Sequence, residues 1–200
     1  MSGAREANGS VTVAERNEEI ADLVRRAQAG DRRAFDALFS LHETLALRVA
    51  FLITTDVELA RDAAQEAFLR AYRQIRSLRD PAAFRAWFAR TVSTTSQRMA
   101  HQASRRLTVP LDESLELPAA DPGPVEVSEW RDLQRRLRQA LVSLSPVHRT
   151  VIALAALGHT EAEIARILRC PRGTVKSRLH FARRRLGYFL AQSRGWETVP

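Results

Sequence analysis

Residues 158–186 read GHTEAEIARILRCPRGTVKSRLHFARRRL, and the fold turns on them. They spell a helix, a tight turn and a second helix. Thr160 is placed to cap the first helix, and Glu163, three residues on, completes a capping box. Ile164, Ile167 and Leu168 then give one apolar stripe. Cys170-Pro171-Arg172-Gly173 interrupts the periodicity, because proline cannot continue the ladder and glycine tolerates a positive φ. Thr174 is expected to cap the second helix. At about 100° per residue, Val175, Leu179, Ala182 and Leu186 share one face, which predicts a buried stripe. Ser177, His180, Phe181 and Arg184 point the other way, flanked by Lys176 and Arg183. Two short helices joined by a glycine-containing turn form the helix-turn-helix pattern, whose second helix enters a DNA major groove. An amphipathic hairpin with a solvated basic face would satisfy the periodicity alone. The cap, the turn and the cations opposite a clean core stripe favour DNA.

Bulk composition agrees. The net charge is +8, which favours a polyanionic partner. Of the basic side chains all but Lys176 are arginine. The single cysteine, Cys170, excludes an internal disulfide and a cysteine-rich metal site, and it reads as a packed small residue. No apolar run approaches the length of a membrane span, and the N-terminus lacks a signal-peptide core, so no membrane insertion and a cytoplasmic location are expected. No set of side chains converges on catalysis, so the chain is not expected to be an enzyme. No cofactor and no metal are expected either.

Outward from that stretch the whole chain has helical periodicity, with no alternating strand pattern. The expected fold is all-α: two small helical domains joined by an acidic, proline-containing linker. Residues 1–17 are polar and aperiodic and read as a disordered lead. The first domain is expected over 18–106. Its first helix spans Glu18 to Ala29, and Asp31 and Asp56 cap the next two. His42 falls on a buried stripe. The third helix, about 57–76, gathers Asp62, Gln65, Glu66 and Leu69 on one strip. Asp80-Pro81 opens a fourth helix, to about 102, carrying Phe84, Trp87, Phe88 and Val92, with arginines over much of its remaining surface. Basic and aromatic side chains in alternation suit single-stranded nucleic acid.

The composition then changes. Leu107 to Glu129 has no Lys or Arg and carries six acids and four prolines, so 107–127 reads as a flexible linker. The second domain is expected over 128–192, with 193–200 a tail. Ser128 and Ser145-Pro146 open its first two helices. From Trp130 to Gly187 there are 13 Arg plus Lys against three acids.

Two stretches together resemble one family. Asp62-Ala-Ala-Gln65-Glu66-Ala-Phe68-Leu-Arg-Ala-Tyr72, followed by Phe84-Arg-Ala-Trp87-Phe-Ala-Arg90, is similar to region 2 of bacterial extracytoplasmic-function sigma factors. Residues 158–186 resemble their region 4.2. The resemblance implies an initiation subunit of RNA polymerase. Asp62, Gln65, Glu66 and Leu69 would dock on the β′ clamp helices of core RNA polymerase. The segment from Ser77 to Arg106, with Arg79, Arg85, Trp87, Arg90, Thr94 and Arg98, would engage the −10 element and its melted non-template strand. The second domain would sit on the β-flap tip and read the −35 element of promoter DNA. Lys176, Ser177, His180, Arg183 and Arg184 would lead that reading, with Thr174, Arg178 and Phe181 beside them. Arg149 and Arg172 would contact phosphates. Many members are held by an anti-sigma partner. This sequence departs from the family pattern at Thr94, where Asn is usual, at Phe181, where a basic residue is usual, and at Arg61, where an acid is common. Two other readings use the same residues: a dimeric repressor or activator with this helix-turn-helix, and a polymerase-bound adaptor that no longer opens DNA.

Overall fold

The computed structural model describes residues 13–106 and 135–192. Among them there are helices and turns and no strand. The order is α1 (Val13–Gln28), α2 (Arg32–Thr54), α3 (Val57–Gln74), two 3-10 turns (Ile75–Ser77 and Pro81–Ala83), α4 (Phe84–Arg106), a helical segment α5 over 135–142, α6 (Pro146–Ala156), α7 (Glu161–Leu168) and α8 (Arg172–Gln192). The expected linker, 107–127, and tail, 193–200, lie outside the described residues, as do Ser128 and Trp130.

Helix starts follow the sequence signals. The Ala34 amide donates to Asp31 Oδ1 at 3.2 Å, and the Leu59 amide to Asp56 Oδ1 at 2.7 Å. The Ala82 amide donates to Asp80 Oδ1 at 3.0 Å, which sets the 3-10 turn that leads into α4. Each cap satisfies one amide that the helix itself leaves without a partner. Gly30 ends α1 with φ 97° and Gly158 ends α6 with φ 86°, conformations that a Cβ disfavours.

Three boundaries differ from expectation. α1 begins at Val13, not Glu18, with Glu15 in its first turn where a helix dipole favours an acid. The chain there is therefore helical where a disordered lead was expected. α4 continues to Arg106. α8 begins at Arg172, so Thr174 lies inside the first turn and does not cap it; its amide donates to the Pro171 carbonyl at 3.0 Å. The turn before α8 takes its left-handed residue from Arg169, φ 50°, while Gly173 is helical. The Cys170 amide reaches back to the Ala165 carbonyl at 3.1 Å and closes the end of α7.

α2 is the central helix. Its apolar window has a hydropathy of 1.4, enough by length and composition to cross a membrane, contrary to the reading that no such stretch exists. Its apolar stripe is already used: Leu38, Ala46, Val49, Ala50 and Ile53 are buried in the core with side chains of α1, α3 and α4. Asp36, Glu43 and Arg48 mark its other side. Phe68, Phe84 and Phe88 fill the centre, with ring centroids 4.7 Å apart for Phe68–Phe88 and 5.7 Å for the stacked Phe84–Phe88 pair. Each buried aromatic or branched side chain contributes roughly 1.5–3 kcal/mol. A second core joins Val151 and Leu154 of α6, Ile164 and Ile167 of α7, and Val175 and Leu179 of α8. The two cores touch: Ala153 of α6 packs with the first and Ala89 of α4 with the second.

Candidate nucleic-acid interface and docking strip

The α7–α8 unit is built as its sequence requires. Thr160 Oγ1 accepts from the Glu163 amide at 3.3 Å, and Glu163 Oε2 accepts from the Thr160 amide at 2.8 Å. These bonds hold the Glu163 carboxyl below its usual pKa. With α7 fixed, Val175, Leu179 and Ala182 pin α8 through its buried side. On the helical wheel Lys176, Ser177, His180, Arg183 and Arg184 then fall within a sector of about 120°. All five are exposed. A continuous donor-rich face on a helix held by its opposite side is the geometry that reads base edges. Arg172 stands at its start, exposed, with Nε 3.6 Å from Glu161 Oε2.

Two members of the expected set stand off that face. Arg178 is half-buried. Phe181 is 52% exposed, but its ring lies 4.5 Å from that of His148 on α6. That contact half-covers His148, and burial lowers the histidine's pKa.

Arg149 corrects the sequence reading outright. It is 8% exposed and is not available to a phosphate. Its Nη1 donates to Thr55 Oγ1 at 2.8 Å and lies 3.5 Å from the Thr54 carbonyl oxygen, at the far end of α2. Among the described residues no carboxylate accompanies it, and burial lowers its pKa to about 10. The reason is the placement of α6, which carries position 149 on the side facing the first domain.

The α3 strip is open. Asp62, Gln65 and Leu69 are exposed, Leu69 at 43%. Glu66 is half-buried, and Arg70 Nε donates to its Oε1 at 2.8 Å, which lowers the carboxyl pKa. Tyr72 is 58% exposed, its ring edge-on to Phe35 at 4.9 Å. Alanines 60, 63, 64, 67 and 71 take the buried side of α3. An acid, an amide and a leucine share one exposed strip, a chemistry complementary to a basic, partly apolar surface. Among the described residues no cluster of His, Cys, Asp and Glu could hold a metal ion.

On α4 and the turn before it the expected contacts divide. Arg79, Arg85, Thr94 and Arg98 are exposed and Trp87 is half-buried, while Phe88 is wholly buried. Arg85 Nη1 reaches Asn17 Oδ1 at 3.2 Å, and Arg98 Nη1 reaches Gln102 Oε1 at 3.4 Å. Thr94 Oγ1 donates to the Arg90 carbonyl at 2.9 Å, so its hydroxyl is turned onto its own helix. Arg90 is not free for nucleic acid here: its Nη1 donates to the Ile167 carbonyl at the end of α7, 3.1 Å away. Sequence reasoning also missed Arg138, Gln97 and the Thr54-Thr55 corner, which join the two domains. Only tertiary placement brings those positions together.

Comparison with known proteins agrees with the geometry. The family profile described as Sigma-70 region 2 matches residues 38–106, and that described as Sigma-70, region 4 matches residues 134–186. The ECF RNA polymerase sigma factor SigM of Mycobacterium tuberculosis is 36% identical over 170 residues, covering 85% of this chain and 84% of that one. The RNA polymerase sigma-H factor of Pseudomonas aeruginosa is 30% identical over 178 residues, covering 83% and 91%. The ECF RNA polymerase sigma-E factor of Escherichia coli K12 is 33% identical over 180 residues, covering 84% and 93%. Among solved structures, CnrH in complex with the cytosolic domain of CnrY superposes with a TM-score of 0.66 at 23% identity, covering 87% of this chain and 98% of that one. The sigma factor RpoE in complex with the anti-sigma factor NepR, from Bartonella quintana, gives 0.63 at 24% identity, covering 78% and 96%.

Proposed function

The chain belongs to the extracytoplasmic-function sigma factors of the sigma-70 family, and from that premise we propose how its surfaces divide the work of starting transcription. It directs promoter-specific initiation by RNA polymerase. The observation that carries the assignment of surfaces is the pairing, in one chain, of an exposed acidic–apolar strip on α3 with an exposed basic sector on α8.

Asp62, Gln65, Glu66 and Leu69 dock on the β′ clamp helices of core polymerase. Leu69 supplies the apolar anchor and the acids supply register. Lys176, Ser177, His180, Arg183 and Arg184 read the −35 element, and Arg172 holds a phosphate. Arg79, Arg85, Trp87 and Arg98, beside Thr94, line the approach to the −10 strand. Phosphate contacts give affinity and a salt slope near 0.9 per neutralised phosphate, while base contacts give roughly 1–3 kcal/mol of discrimination each. The second domain rests on the β-flap tip. Bond formation belongs to the polymerase, so this subunit is not an enzyme. It works in the cytoplasm, where its DNA and polymerase are. An anti-sigma protein that covered the α3 strip would compete directly with the clamp helices.

The test is transcription by purified core polymerase plus this protein on sheared genomic DNA, with sequencing of RNA 5′ ends. Starts below a shared pair of elements, about 35 and 10 bases upstream, are expected. They should vanish with Leu69→Arg while binding to duplex carrying the −35 element persists. Failure of the wild-type chain to bind core polymerase would leave an ordinary DNA-binding regulator.

A further inference from the structure

Phe181 borders the basic sector of α8 and differs from it in chemistry. It lies about 40° around the helix from Ser177, and Ser177, Phe181 and Arg184 follow one another at i, i+4 and i+7 along a single row. A groove wall that meets Ser177 and Arg184 therefore meets Phe181 between them. The side chain is 52% exposed and stands apart from the core that Val175 and Leu179 enter on the far side of the helix.

A single exposed aromatic ring is common on protein surfaces. This one is held in place. The ring of His148, on α6, lies against it with centroids 4.5 Å apart and planes at 35°. His148 is held in turn. Ser145 is the N-cap residue of α6, yet its hydroxyl makes no bond to an α6 amide; it meets His148 Nδ1 at 2.8 Å. The helix forgoes a capping bond that serine is well suited to make, and the hydroxyl fixes the imidazole instead. Burial, and after it the charge of Arg178, lowers the His148 pKa, so the imidazole packs as a neutral ring at neutral pH. Contacts thus run from Ser145 through His148 to Phe181, from the start of α6 to the border of the α8 sector. They cover part of the benzyl ring and leave the rest open.

An apolar ring has one distinctive partner in a major groove. Of the four bases only thymine presents a methyl group there, while the other groups on the base edges are donors and acceptors. A ring already fixed by its neighbours has little freedom left to lose when it makes that contact.

We propose that Phe181 reads a thymine methyl in the −35 element and that His148 is the positioning residue that presents its ring. The proposal rests on the assignment of α8 to that element. Lys176, Ser177, His180, Arg183 and Arg184 supply the hydrogen bonds, and Phe181 adds an apolar contact at their border.

The test uses RNA polymerase loaded with the full chain, on a promoter located by sequencing its RNA 5′ ends. Each thymine of the −35 element, on either strand, is replaced singly by uracil, which removes the methyl group and keeps the hydrogen-bonding edge. Affinity should fall about fourfold at one of these positions, the worth of one buried methyl-sized group. With Phe181→Ala, thymine and uracil should bind alike at that position. His148→Ala should shrink the ratio toward one, and His148→Phe, which keeps a ring against Phe181, should restore it. The ratio compares two DNAs with one protein, so partial unfolding of a variant leaves it unchanged. A −35 element without thymine, equal binding of thymine and uracil at every position by the unmodified chain, or a ratio kept by Phe181→Ala would overturn the methyl contact. A ratio untouched by His148→Ala would overturn the positioning role. Starts that share no −35 element, or no starts at all, would defeat the sigma-factor reading and this proposal together, whereas indifference to the methyl group at a working promoter defeats this proposal alone.

Discussion

His42 sits edge-on to Phe84 and Phe88, with ring centroids 5.3 and 5.8 Å away, and its Nδ1 lies 2.9 Å from the Leu38 carbonyl oxygen. Burial, aided by nearby Arg85, lowers its pKa below 6.5. The unfolded chain therefore takes up this proton more readily than the folded one. Stability is full above the ordinary histidine pKa and declines as pH falls through it, levelling off only below the lowered folded value. His148 and His159 are shifted the same way by burial and add to the trend. The melting temperature should fall between pH 7.5 and 5.5, and by less in His42→Leu; an unchanged pH dependence in that variant would remove His42 as a contributor. The exposed side chains of α8 carry a different expectation. Lys176→Ala or His180→Ala should relax the −35 preference by roughly 1–3 kcal/mol per lost base contact. Arg172→Ala should weaken all promoters by a similar factor. A promoter library selected with each variant separates the two patterns.

Elements stand or fall by their caps and buried faces. Thr160→Ala removes the acceptor for the Glu163 amide and should cost about 1 kcal/mol, read by urea unfolding as a lower midpoint with unchanged slope. Phe88→Ala should cost about 3–5 kcal/mol, because it opens a cavity among Phe68, Phe84 and His42. Caps of this kind were legible in the sequence because their cause is local: Asp31, Asp56, Asp80 and Thr160 each lie within three residues of the amide they satisfy. The core stripes were legible for the same reason, since Val175, Leu179 and Ala182 follow one period. The exposed strip Asp62–Leu69 and the α8 sector followed from periodicity too, although their roles came from family resemblance. The start of α8 was misplaced because threonine and glycine suggest a boundary, whereas Arg169 can take the left-handed turn once the end of α7 is closed around it. Arg149 was misread because nothing local separates an arginine aimed at phosphate from one aimed at a neighbouring domain. Its partners, Thr54 and Thr55, lie more than ninety residues away. Long-range burial is what a one-dimensional pattern omits.

At the scale of the whole molecule, the length of chain between the domains bears on which promoters can be reached. Residues 107–134, 28 in all, separate the two described parts. A chain of that length spans at most about 95 Å when fully extended. Two elements roughly 25 base pairs apart lie about 85 Å from each other along B-form DNA. The domains themselves cover part of that distance, since α4 and α8, of 23 and 21 residues, are about 35 and 31 Å long, and the segment bridges the remainder. Deleting residues 111–120 would cut its maximum to about 60 Å and remove most of the slack. Each domain keeps its own core, because the cores are built from residues on either side of the deletion. Transcription from two-element promoters should therefore fall, while binding to a duplex carrying only the −35 element and binding to core polymerase persist. A glycine–serine replacement of the same ten residues restores length without the acids. If it also restores transcription, reach is the operative property of the segment; if transcription stays low, the acidic side chains Asp112, Glu113 and Glu116 contribute beyond spacing.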